Sequence, residues 1–192
     1  QSAAKKLVAG SEAFAGPSRF GRLFLRMMVL EHARTVSVND TRAAGRYRWK
    51  MLWTGLRFAL GIGRTAALRS GLESVPFSAI EKAFGPLSPA MEAMLTRFFR
   101  VNIQSLHFCG RAFHDLPLIE GFRSLAVLYP LIVWLSRWLA VSARRENLSE
   151  ADLACTISMV DYHYSYSPYL RWRVRLLEQR DDIARLCAWY FL

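Results

Sequence analysis

A chain of 192 residues with 53% hydrophobic content and a net charge of +11 can bury one sizeable core but is too short for two roomy domains. Its longest uncharged apolar run, residues 124–136, falls short of the roughly 20 residues that span a bilayer, so a buried core helix is expected there and no transmembrane segment. Cys109, Cys155 and Cys187 are odd in number and far apart, which fits neither a disulfide framework nor a zinc site of paired cysteines and points to reduced, buried thiols in a cytoplasmic protein.

Residues 1–18 are small and polar, with Gly10, Gly16 and Pro17, and read as a flexible leader or linker before a single all-helical domain over 19–192. No apolar h-region follows Lys5 and Lys6, so no signal peptide is expected. Over 19–34 the spacing of Phe20, Leu23, Phe24, Met27 and Met28 predicts a helix with one apolar stripe. Turn formers over 37–40 lead to a second helix over 41–60. Its apolar stripe of Trp49, Leu52, Trp53, Leu56 and Leu60 is expected to be buried, with Arg42, Arg46, Lys50 and Arg57 on the other face. Gly61, Gly63, Gly71 and Pro76 then break the pattern, with a short helix expected over 77–84.

Ser88 followed by Pro89 is an N-cap with proline at the first helical position, opening a helix that carries Met91, Leu95, Phe98 and Leu106 to about residue 108. Another long segment runs from 117 to about 143, where Pro130 removes a backbone donor and predicts a kink or two consecutive helices. Ser149 and Asp152 stand at capping-box spacing before Leu153, Ile157, Val160 and Tyr164. Pro168 opens a further helix to about 178, and Asp181 caps a last one that buries Ile183, Leu186, Cys187 and Tyr190. No stretch alternates as a strand does, so the expected class is all-α, a compact orthogonal or irregular bundle of about six to eight helices.

Charge is unevenly spread. From Arg19 to Arg69 there are 11 basic residues against Glu31 and Asp40, whereas residues 70–192 hold 13 basic and 12 acidic. A field on the N-terminal third concentrates anionic partners, nucleic acid or an acidic protein, and a solvated basic face has the same composition. Within it Arg42, Arg46, Lys50 and Arg57 are the candidate partner-binding residues. Tyr47, Trp49 and Trp53 lie between them, a composition that suits base stacking, although the indoles fall on the stripe assigned to the core. His107, Cys109, His114 and Asp115 cluster around Gly110, but without the usual ligand spacing, so structural roles are favoured and no metal is assigned. Asp161 and His163 are the other candidate acid–base pair, although positions two apart on a helix face different ways.

The segments Ser105-Leu106-His107-Phe108-Cys109-Gly110, Glu120-Gly121-Phe122-Arg123 and Trp134-Leu135-Ser136-Arg137-Trp138 occur in an order that resembles the C-terminal part of YkgJ-type cysteine-cluster proteins. Asp161-Tyr162-His163, Ser167-Pro168 and Ala188-Trp189-Tyr190 extend the resemblance over nearly the whole chain. That family is similar to flagellin lysine-N-methylases. The resemblance implies a helical half that contributes to protein-lysine methyl transfer or docks a substrate or partner through its basic face. It also implies an N-terminal cysteine-cluster domain as partner, holding iron–sulfur or zinc, with S-adenosylmethionine as methyl donor. The cluster cysteines are not among these 192 residues, so no cofactor is expected on this chain itself. A non-enzymatic basic module that binds nucleic acid or an acidic protein is the other expectation.

Overall fold

The computed structural model describes residues 16–33, 45–82, 84–111, 113, 115–164 and 182–191. Among these described residues seven helices occur in order: α1 (Arg19–Ala33), α2 (Gly45–Leu60), α3 (Phe77–Glu81), α4 (Pro89–Ser105), α5 (Leu118–Ser142), α6 (Glu150–Tyr164) and α7 (Asp182–Phe191). No strand lies among the described residues, so the all-α class holds. The helix expected over 168–178 lies outside them.

The apolar run of the sequence becomes α5, the trunk of the bundle, against which α1, α3, α6 and α7 all pack. Leu125, Leu128, Leu131, Ile132, Trp134, Leu135 and Trp138 are buried around its whole circumference. By length and composition α5 could cross a membrane, yet 78% of its most apolar stretch is buried inside the fold. Pro130 lies within this one helix, so the chain does not divide into two there. The lost backbone bond costs ~3 kcal/mol, and burial of Leu128, Leu131 and Ile132 around it at about 1.5–3 kcal/mol each offsets that cost.

Helix starts follow their local chemistry. Ser88 Oγ accepts from the Met91 amide at 3.2 Å, with Pro89 in the first turn. Ser149 Oγ accepts from the Asp152 amide at 3.2 Å while Asp152 Oδ2 accepts from the Ser149 amide at 2.9 Å, a complete capping box. Ser18 caps α1 by accepting from the Gly21 amide at 2.9 Å and donates its hydroxyl to Asp182 Oδ2 at 2.7 Å. The starts of α1 and α7 are thereby tied together. A Cβ on Gly21 would stand 2.8 Å from the Asp182 carboxyl carbon, so this approach requires glycine.

Two helices stop sooner than their apolar spacing suggests. The α4 helix ends at Ser105 because Leu106 turns left-handed, φ 54°. The α3 helix ends at Glu81 because Lys82 is extended. The thiols also differ from expectation. All three are free, but Cys155 is exposed and Cys109 and Cys187 are only half-buried, because Cys155 falls on the outer side of α6 while Leu153 and Val160 turn inward.

The largest correction concerns α2. Trp49, Leu52, Trp53, Leu56 and Leu60 do not enter the core but are exposed, whereas Phe58 and Ala59 are buried. The reason is aromatic packing. Phe58 sits 5.1 Å from the Phe77 ring, 5.9 Å from Trp134 and 5.5 Å from Trp138, within the range where rings attract beyond their area burial. The helix can turn only one face inward, and Phe58 is the residue that these rings receive.

Candidate docking surface

Positions 49, 53, 56 and 60 succeed one another by four, three and four residues, which lines them along one side of a 3.6-residue helix. Position 52 lies beside them. Trp49 is 76% exposed, Leu52 64% and Trp53 63%, with Leu56 and Leu60 about half exposed. The helix is closed by a Schellman motif, in which the Ile62 amide donates to Arg57 O at 3.1 Å and the Gly61 amide to Phe58 O at 3.0 Å. Gly61 takes the left-handed conformation this needs, φ 68°. The turn leaves Ile62 exposed, extending the apolar stripe past the helix end. Two indoles and four aliphatic side chains present apolar surface on the order of 600 Å², at the top of the ~300–600 Å² range for the largest patch on a typical monomer.

Arg57 is exposed at the edge of this stripe. A Cβ on Gly63 would lie 3.4 Å from its Nη2, which places the guanidinium beside the turn. Arg46 and Lys50 occupy α2 positions eleven and seven residues earlier, in helical register with Arg57. Their side chains, and Arg42 altogether, lie outside the described residues. Between Asp40 and Glu73 the chain has no acidic residue, so the segment that carries the apolar stripe bears charge of one sign.

The chemical candidates do not assemble. His107 and Asp115 are exposed, Cys109 is half-buried and His114 lies outside the described residues. No group of three metal-ligating side chains occurs among the described residues. Asp161 is exposed on α6, and the His163 side chain lies outside the described residues.

The polar cluster that is assembled was missed by sequence reasoning. Glu81 Oε1 accepts from Arg26 Nη2 at 3.1 Å and from Trp134 Nε1 at 3.1 Å, and Glu81 Oε2 accepts from the Tyr190 hydroxyl at 3.0 Å. Beside it the Arg137 guanidinium stacks 5.1 Å from the Phe84 ring and 5.0 Å from Tyr190 and donates to Lys82 O. Burial pushes the Tyr190 hydroxyl well up, reinforced by Glu81, and pushes the Arg137 guanidinium down. Both Glu81 oxygens are spent on α1, α5 and α7, so the cluster works as an internal lock. No local motif announces it, because its members lie 53 to 109 residues from Glu81.

Other exposed apolar residues, Leu106, Leu118, Ile119 and Phe122, lie just after α4 and in the first turns of α5. Asp115, Glu120, Arg111 and Arg123 border them in sequence, so they lack the single sign of charge that distinguishes α2. Comparison with protein-family models, curated proteins and solved structures finds no match for this chain. The described geometry of α2 is an exposed apolar stripe with the Arg57 guanidinium at its edge.

Proposed function

We propose that the chain is a helical docking module that holds an anionic partner against the outer face of α2. The observation that carries this reading is the outward stripe Trp49, Leu52, Trp53, Leu56 and Leu60 beside Arg57. Exposed apolar surface costs solubility, and a stripe combined with one-signed charge recovers that cost when a partner covers it. Within a longer protein of the cysteine-cluster type, the module would contribute docking, and cofactor chemistry would belong to the domain with the cluster.

Anilinonaphthalene sulfonate, an apolar anion, is the minimal probe of such a face. The native chain is expected to enhance its fluorescence. Leu52→Gln with Leu56→Gln is expected to abolish the enhancement without lowering the melting temperature. A native chain that ignores the dye, or a double variant that binds it as wild type does, would sink the docking reading.

A further inference from the structure

We infer that the partner is an anionic membrane surface, on which the chain docks peripherally with α2 lying among the lipid headgroups. This rests on the docking reading and names its occupant.

The stripe's composition is the first support. Four of its six side chains, Leu52, Leu56, Leu60 and Ile62, are aliphatic. Nucleobases stack on indoles but gain little from aliphatic groups. The boundary between headgroups and acyl chains accepts both kinds, and tryptophan is enriched at that depth.

Charge is the second. Residues 41–72 contain Arg42, Arg46, Arg48, Lys50, Arg57, Arg64 and Arg69 and no acidic residue, and of these Arg69 is turned instead to Met159 of α6. A surface of uniform negative charge complements such a segment, each cation near it strengthening binding by about fivefold. A second copy of the chain would set the same cations against themselves, which disfavours self-association through this face. Arg57, beside the Gly63 turn, can rest its stem on the apolar layer and keep its guanidinium at phosphate level.

Shape is the third. The inner side of α2 is spent on the bundle, with Phe58 among the core rings and Leu30 of α1 beside Gly55. The stripe therefore projects outward along a convex helix. A bilayer yields to such a ridge, whereas a protein partner must supply a matching groove. The buried α5 takes no part, so the mode is attachment to the surface and not spanning.

The test is flotation of the 192-residue chain with vesicles of phosphatidylcholine alone and with vesicles containing about a quarter phosphatidylglycerol. Binding is expected only to the anionic vesicles, weakening with salt. A blue shift in tryptophan emission should accompany it and vanish in the Trp49→Phe/Trp53→Phe double variant. Arg57→Gln should weaken binding about fivefold and Leu56→Gln about tenfold or more, both with unchanged melting. Failure to bind anionic vesicles, equal binding to neutral ones, or indifference to Leu56→Gln overturns the inference. If the same face instead captures a single-stranded oligonucleotide or polyglutamate and no vesicle, the membrane is excluded and docking survives. If dye binding by the native chain is also absent, both readings fall.

Discussion

The Tyr190 hydroxyl donates to Glu81 Oε2 at 3.0 Å, joining the last helix to the five-residue α3 across 109 residues of chain. Because Glu81 also receives Arg26 and Trp134, its carboxylate holds four helices to one another. Replacing it orphans several donors at once. Glu81→Gln is expected to cost about 2–3 kcal/mol and Tyr190→Phe about 1 kcal/mol in urea denaturation. Equal, negligible losses for both would show that the cluster does not lock the bundle.

The two faces of α2 should respond oppositely to truncation. Phe58→Ala removes a ring packed among Phe77, Trp134 and Trp138 and should cost about 3–5 kcal/mol. Leu56→Ala, on the exposed side, should stay within about 0.5 kcal/mol. Chemical denaturation of the two variants checks the orientation of the helix, and a reversed order would refute it.

Asp152 makes stability depend on acid. Burial alone pushes its carboxyl up, but bonds from Arg145 at 2.6 and 2.7 Å and from Ser149 outweigh that and hold it below the usual range. A carboxylate with a depressed folded pKa stabilises above its unfolded value, and that contribution is lost as pH falls through the folded one. The stability gap between wild type and Asp152→Asn should therefore be level from about pH 5 to 8 and shrink below about pH 4. A gap that persists undiminished in stronger acid would show that the ion pair is not its source.

The three thiols should differ in reactivity. Burial pushes Cys187 up to about 11, whereas Cys155 is exposed. Near pH 8 a thiolate-directed reagent should label Cys155 first and Cys187 last, as peptide mapping would reveal. Because the unfolded thiol ionises near 8.5, the contribution of Cys187 to stability is present below that pH and lost as pH rises towards about 11. Early labelling of Cys187 in the folded chain would contradict its burial.

Much of the fold was legible locally. Ser88 with Pro89, and Ser149 with Asp152, marked helix starts because a cap involves only residues three apart. The apolar density of residues 124–136 marked the core helix because no amphipathic face remains to be turned outward. By contrast, the end of α4 depended on Leu106 accepting a left-handed conformation that its side chain does not favour.

The sequence by itself determined that α2 is a helix with an apolar stripe, which it assigned to the core with the cations on the other face, since periodicity follows from backbone geometry alone. Only the tertiary structure decided which face is inside. Phe58 and the Trp49–Leu60 stripe both offered apolar surface, and their fate depended on distant Phe77, Trp134 and Trp138, whose ring positions no local pattern encodes. Burial goes to the face whose shape the rest of the core can match, because interiors are close-packed. The Trp49–Leu60 stripe is thereby left outside.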